Sequence, residues 1–209
     1  MKNLKCLIVI GFLLILNGAL IYKLNLYKKT VSEINPILNK YKQSIVTFDE
    51  KFINERENEN LVLNEETKFL DVEENLILAK DIFKSKKIVL IYSEFNCEEC
   101  VESEINALLK NKNKLGKDVF LIAYYQNKRD FYIFYKEFQK KGLVDIEMYL
   151  LPDSGLNIPA EKLNRPFYFC IDSTLRITNF FIPHKEIPKL TESYLINTSK
   201  NFLSNNSDQ

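Results

Sequence analysis

The chain carries three successive patterns of apolar and polar positions. From Cys6 to Tyr22 it reads CLIVIGFLLILNGALIY, 17 residues without a charge. Lys2 and Lys5 precede this run, and Lys23, Lys28 and Lys29 follow it. Such a length is at the short end of what crosses a hydrocarbon core of roughly 30 Å. Residues 1–23 therefore read as an N-terminal transmembrane anchor. The alternative is a cleaved signal peptide with Leu7 to Leu16 as its apolar region and a cut after Ala19, although Asn17 fits the small-x-small rule poorly. Lysines on both sides leave the positive-inside signal weak and slightly against a cytoplasmic N-terminus. Either reading exports the rest of the chain. Cys6 reads as an apolar filler at the membrane edge.

The second pattern is a heptad over residues 24–59. Leu24, Val31, Leu38, Ile45 and Phe52 form one series, and Tyr27, Ile34, Tyr41 and Phe48 a second, three residues later. Apolar residues on one a/d seam predict an amphipathic helical stalk. Asn35-Pro36 predicts a kink, or two helices with the second from Pro36 to Asn54. The seam offers a homodimer interface; aromatic residues on it suit packing on the following domain at least as well. NERENEN, Asn54 to Asn60, reads as a solvated linker.

The third pattern, over residues 60–200, alternates strands with helices. Leu61–Leu63 and Lys68–Val72 are short strand candidates, and Leu76–Phe83 a short helical stretch. IVLIY (Ile88–Tyr92) and VFLIAY (Val119–Tyr124) are continuous apolar runs of the kind buried inside a sheet. A helix after Cys97 carries Val101, Ile105, Leu108 and Leu109 on one face and stops near Gly116. Asp130 opens another, with Phe131, Phe134, Tyr135 and Phe138 inward and Gly142 at its end. Glu147–Leu151, Phe167–Ile171 and Arg176–Ile182 are further strands, the last two joined by the Asp172–Thr174 turn. A last helix places Ile187, Leu190, Tyr194 and Thr198 on one stripe. Residues 201–209 read as a polar tail. The order β-α-β-α-β then β-β-α predicts an α/β fold: a mixed central sheet, parallel inside with an antiparallel edge, flanked by helices.

Composition narrows the function. Charges nearly cancel, at +1, so nothing compensates a phosphate backbone and nucleic acid is not an expected partner. No glycine-rich phosphate loop occurs. A single histidine, His184, and four cysteines exclude a multi-histidine metal site and a disulfide scaffold.

The chemistry lies at the first buried strand-to-helix junction. Cys97-Glu98-Glu99-Cys100 places two sulfurs at i and i+3 in one helical turn, within disulfide reach. Helix N-terminal N–H groups favour a Cys97 thiolate. That thiolate can attack a disulfide, and Cys100 can resolve the mixed disulfide. Neither Cys6 nor Cys170 adds a second CxxC, so zinc is not expected. Cys170, between Phe169 and Ile171, reads as a buried small hydrophobe. Asn197-Thr198-Ser199 matches a sequon but carries little weight.

KKIVLIYSEFNCEEC (Lys86–Cys100) and NRPFYFCIDSTLRI (Asn164–Ile177) resemble the thioredoxin-like superfamily, and within it the membrane-anchored TlpA-like thiol–disulfide oxidoreductases of bacteria. The resemblance implies a thioredoxin-like fold over about Leu61–Phe202 and a redox-active disulfide, Cys97–Cys100. It makes Cys97 and Cys100 catalytic. It also matches Pro166 to a cis-proline packed on that disulfide, with the Arg165 backbone receiving substrate; by itself Pro166 also suits a trans strand start. Asn96 stands where the family carries Trp. Glu98-Glu99 is more acidic than the usual intervening pair and opposes the thiolate by like charge, which predicts a reductant. Glu94 is the nearest candidate for a proton-accepting carboxylate.

These features predict a membrane-tethered reductant of protein disulfides in the bacterial inner membrane, its domain on the periplasmic side. It needs no cofactor and no metal; its partners are disulfide-containing proteins and an upstream thiol donor. Two rivals stand beside it. One is a redox-inactive thioredoxin-like binding module. The other is a copper-chaperone-like carrier using His184, whose relatives space their cysteines CxxxC.

Overall fold

The computed structural model describes residues 2–151 and 155–204; of residues 2–10, 12 and 44 only the backbone is described. The chain divides into two compact units, Met1–Glu50 and Lys51–Gln209.

The first unit is helical. It belongs to α1 (Lys2–Asn58), which continues through Pro36 rather than breaking there. Proline forfeits one backbone hydrogen bond, and the turns on either side retain theirs. The heptad residues from Leu24 to Phe48 are exposed. Among the described residues no helix is long and apolar enough to cross a membrane. Residues 6–10 and 12 of the uncharged run lie outside the described side chains. The expected transmembrane helix thus finds no support in the architecture.

The second unit is built on a sheet. Its strands are β1 (Lys68–Leu70), β2 (Leu76–Leu78), β3 (Lys87–Ser93), β4 (Val119–Tyr124), β5 (Glu147–Leu150), β6 (Phe167–Ile171) and β7 (Thr178–Phe181). They lie in the order β2-β1-β5-β4-β3-β6-β7. β3, β4 and β5 run parallel; β6 is antiparallel to β3, and β7 to β6. The helices are α2 (Ala79–Ile82), α3 (Glu98–Leu115), α4 (Lys128–Lys141) and α5 (Pro188–Thr198). The crossovers β3-α3-β4 and β4-α4-β5 step across the sheet in one direction. Right-handed connections then place both helices on the same face. There Ile88, Leu90 and Tyr92 pack with Val101, Ile105 and Leu108 of α3, Phe131 and Phe138 of α4 and Leu195 of α5. The alternate residues Val89 and Ile91 face the other way, onto Phe69, Phe83, Ala160 and Phe169. A continuous apolar strand is what burial on both faces demands.

Several local expectations change. Leu76–Leu78 pairs with Lys68–Leu70 as a hairpin, where a helix was expected to begin, and only Ala79–Ile82 is helical. Leu61–Leu63 contributes one isolated bridge, Val62 to Arg176. Asn127, not Asp130, caps α4, accepting from Arg129 N at 2.9 Å. Gly142 ends α4 in a left-handed conformation at φ 101°, the position where a Cβ is unfavourable. The buried face of α5 is Thr191, Leu195 and Thr198, while Ile187 and Leu190 are exposed. Phe202 and Leu203 pack on the core where a polar tail was expected; residues 152–154 and 205–209 lie outside the described residues.

The segment expected as a solvated linker is instead structural. Helix α1 runs to Asn58, which is buried; its Oδ1 accepts from Ala160 N at 3.0 Å, and its Nδ2 donates to Asn54 O at 2.7 Å. Glu59 accepts from Asn179 N and Phe180 N, each at 2.9 Å, and Glu55 from Ile182 N at 2.9 Å. Carboxylates at and just after the end of α1 thus satisfy N–H groups of the edge strand β7 and the residue after it, whose open donors would otherwise invite pairing with another chain. Asn58→Ala leaves the buried Ala160 N–H without its acceptor. The expected loss is about 1–3 kcal/mol, read from urea unfolding of the full chain.

Candidate redox site

The antiparallel register of β3 with β6 assembles the site. Ile91 lies opposite Phe167, so the residues just after Ile91 and just before Phe167 emerge at the same end of the sheet. The loop after β3 is tied down locally. Asn96 Oδ1 accepts from Ser93 N at 2.9 Å, and Phe95 N donates to Ser93 Oγ at 3.0 Å. Across the gap, Asn96 Nδ2 donates to Asn164 Oδ1 at 3.1 Å. Asn96 therefore cross-links the cysteine loop to the segment carrying Arg165 and Pro166. A cavity of about 520 Å³ lies between them, lined among others by Phe95, Asn96, Tyr124, Asn164, Arg165 and Phe167. Arg165 is exposed on its rim and Pro166 is buried.

The peptide bond before Pro166 is trans, since no cis bond occurs among the described residues. This corrects the cis assignment implied by the resemblance. Trans is the lower-energy isomer by ~0.5–1 kcal/mol even before proline, and the start of a strand needs no N–H from the proline.

Cys97 is the N-cap of α3, and its Sγ accepts from Cys100 N at 3.3 Å. Cys97 is exposed, Cys100 half-buried and Cys170 buried. The Cys100 thiol bonded to Cys97 holds the Cys97 thiol below its ordinary value, with further help from the Cys100 N–H and from Lys185, while Glu99 opposes. Burial and the Cys97 sulfur push the Cys100 thiol up to about 11. The two thiols thus divide into an accessible nucleophile and a protonated partner.

The intervening carboxylates act less strongly than their sequence suggests. Lys185, in the loop before α5, pairs its Nζ with Glu99 Oε2 at 3.4 Å. It also acts on the Cys97 sulfur, which is the main cause of its own raised proton affinity. Sequence proximity gives no hint of this lysine, which lies 88 positions beyond Cys97. Lys185→Gln is expected to shift the pH profile of Cys97 alkylation by iodoacetamide to higher pH and slow the reaction at pH 7. Lys185→Arg restores both.

Other candidates are placed as follows. Glu94 Oε1 accepts from Gln126 N at 2.6 Å, which occupies it in holding the loops together. Glu104, on α3 one turn beyond Cys100, is buried at 2% exposure. Burial pushes its carboxyl up to about 7, against the pull of Thr191, Tyr168 and Lys51. Cys170 lies inside β6 with its Sγ 3.7 Å from Tyr194 Oη, and burial pushes its thiol up to about 12, which makes it inert. His184 is half-buried beside Lys185, its carbonyl accepting from Ile187 N at 2.8 Å. Among the described residues no group of three or more His, Cys, Asp and Glu side chains is placed to hold a metal ion.

A CxxC at the junction of β3 and α3, with β4 and β5 parallel to β3 and β6 and β7 returning antiparallel, is the arrangement that the resemblance to the thioredoxin-like superfamily implies. No family model and no curated protein matches the chain. Solved structures do. A thiol:disulfide interchange protein from Bacteroides sp. is similar at 17% identity and a TM-score of 0.46, covering 71% of this chain and 96% of that one. A thioredoxin-like protein from Porphyromonas gingivalis aligns at 16% identity and a TM-score of 0.45, covering 68% and 92%. ScoI of Arabidopsis thaliana, with copper bound, aligns at 12% identity and a TM-score of 0.47, covering 67% and 97%.

Proposed function

We propose that the protein is a thiol–disulfide oxidoreductase that reduces disulfides in other proteins through Cys97 and Cys100. The observation that carries this is the exposed Cys97 thiol at the start of α3, hydrogen-bonded by Cys100 and held toward its thiolate. The Cys97 thiolate attacks one sulfur of a substrate disulfide and releases the other as a thiolate. Cys100 then loses its proton and attacks Cys97 Sγ, which frees the second substrate thiolate and closes the Cys97–Cys100 disulfide. Two electrons pass to the substrate, and an upstream thiol donor must return them. Arg165, exposed on the cavity rim beside the buried Pro166, faces the substrate, and the Asn164–Asn96 contact holds that segment to the cysteine loop.

The uncharged run Cys6–Tyr22 supports placement in the bacterial inner membrane; a periplasmic domain belongs to the same proposal, although the flanking lysines lean slightly the other way. Carbonate extraction and protease access to intact spheroplasts test that placement. The reductive direction is the expectation drawn from Glu98 and Glu99; the lowered Cys97 thiol works against it, and a reduction potential near the oxidising end of thioredoxin-like proteins overturns it. Insulin reduction tests the activity itself. The full chain should precipitate insulin chains well above background, and Cys97→Ser should not. Equal rates for the two would favour a redox-inactive binding module. A copper carrier finds no donor set beyond the two thiols among the described residues.

A further inference from the structure

Asn96 and Asn164 stand 68 positions apart in sequence and are hydrogen-bonded. Each directly precedes a residue that the proposed reaction uses: Asn96 the nucleophile Cys97, and Asn164 the rim residue Arg165. The contact has a fixed direction. Ser93 N can only donate, so the Asn96 oxygen turns toward it, at 2.9 Å. That leaves Nδ2 to face the other way, where it donates to Asn164 Oδ1 at 3.1 Å. One amide thus supplies an acceptor to its own loop and a donor across the gap.

Both ends of this bond are stiff. In the cysteine loop, Asn96 N donates to Ser93 O and Glu94 N to Tyr124 O, each at 3.0 Å. On the far side, Pro159–Leu163 forms a short 3₁₀ turn, held where Glu161 accepts from Leu156 N at 2.6 Å and Ile158 N at 3.3 Å. Asn164 ends that turn in the left-handed conformation, at φ 48°, which asparagine tolerates better than most residues. Next to it the backbone is open. Arg165 is exposed, and no turn, loop or cap hydrogen bond takes up its N–H or its carbonyl among the described residues. An open donor and acceptor on an exposed rim suit pairing with a chain laid alongside in extended form.

We propose that the Asn96–Asn164 hydrogen bond fixes the spacing between the Cys97 sulfur and the Arg165 backbone, and so speeds attack on disulfides carried by an extended polypeptide but not on small disulfides. The inference rests on the oxidoreductase reading and adds the source of its substrate selectivity. A chain held at Arg165 presents its disulfide correctly only at one separation from Cys97, and misplacement by about 1 Å can cost ~10²-fold in rate. A small disulfide makes no backbone pairing and meets the exposed Cys97 directly. Asn96 and Asn164 are positioning residues, since they act through Cys97 and Arg165.

The test compares full-length variants. Asn164→Gly keeps the left-handed backbone and removes the acceptor. Asn164→Asp keeps the backbone preference and the acceptor. Asn96→Ala removes the donor together with the bond to Ser93 N. Each is assayed on an uncharged disulfide-linked peptide, on a small uncharged aromatic disulfide, and by alkylation of Cys97 with iodoacetamide. In Asn164→Gly, kcat/KM for the peptide should fall about fivefold to tenfold, the weight of one hydrogen bond. The small disulfide and iodoacetamide should react at wild-type rates. Asn164→Asp should keep the wild-type ratio of peptide to small-disulfide reduction. Asn96→Ala combined with Asn164→Gly should be no slower on the peptide than Asn96→Ala alone, because one bond is lost only once. An unchanged peptide rate in Asn164→Gly overturns the proposal. So does equal slowing of peptide and small disulfide, a loss in Asn164→Asp as large as in Asn164→Gly, or additive losses in the double variant. A wild type that reduces the small disulfide and not the peptide overturns the selectivity and leaves the redox site standing. A wild type that reduces neither overturns the redox reading, and this proposal with it.

Discussion

Cys100→Ser is expected to stop turnover while leaving the first attack intact, so that the protein accumulates as a mixed disulfide through Cys97. Cys97 is exposed and biased toward its thiolate, and it attacks without help from a neighbouring base. Cys100, half-buried with its thiol near 11, serves only as the second nucleophile. In the wild type that second step is intramolecular, and well-oriented groups reach effective molarities of about 10⁵ M or more. Removing Cys100 therefore lengthens the life of the adduct by orders of magnitude. Reaction with a small aromatic disulfide, followed by intact mass under non-reducing conditions, should give one covalent adduct per chain in Cys100→Ser. It should give none in Cys97→Ser. An adduct on Cys97→Ser, or none on Cys100→Ser, reverses the assignment of roles. Cys100→Ser also loses the thiol that bonds Cys97, so its alkylation at pH 7 should be slower than the wild type's.

Glu104→Gln is expected to stabilise the protein at pH 8 and flatten its stability against pH. Glu104 is a carboxyl whose folded value, about 7, lies above its ordinary value of 4.5. Between these two values the folded state binds more protons than the unfolded state, so stability falls as pH rises. Below about 4.5 both states are protonated and the favourable contribution is complete. Above about 7 both are ionised and the loss is complete. A shift of this size corresponds to roughly 3 kcal/mol at its largest. Gln keeps the shape and the hydrogen-bonding capacity toward Thr191 and Tyr168 without a charge to bury. Urea unfolding at pH 5 and pH 8 checks this. The wild type should lose stability between the two and Glu104→Gln should lose much less. A wild type as stable at pH 8 as at pH 5 would refute the buried-carboxyl account.

Glu104 and Lys185 also mark what a linear reading misses. Glu104 follows Cys100 at helical spacing and looks like any solvated helix residue until α5 and β6 close over it. Lys185 is one cation among many until the loop before α5 brings it to Glu99. Asn58 and Glu59 sit in a segment as polar as any linker, yet their acceptors fill donors about a hundred residues away in sequence. On α5 the expected stripe is met at Tyr194 and Thr198, which pack inward, but polar Thr191 hides the start of the buried face, so Ile187 and Leu190 are exposed instead.

Taken by itself, the sequence determined the buried parallel strands, the helix that starts at Cys97, the turn into β7 and the pair of sulfurs in one turn. These follow from local rules: continuous apolar runs, helical spacing, and glycine where a helix must stop. Tertiary structure alone decided that Leu76–Leu78 is a strand, because only pairing with β1 distinguishes it from helix. It decided the trans bond before Pro166 and the cross-link from Asn96 to Asn164. It also brought Lys185 to Glu99 and buried Glu104, since charge and burial at a site are sums over residues that only folding brings within a few ångströms of one another.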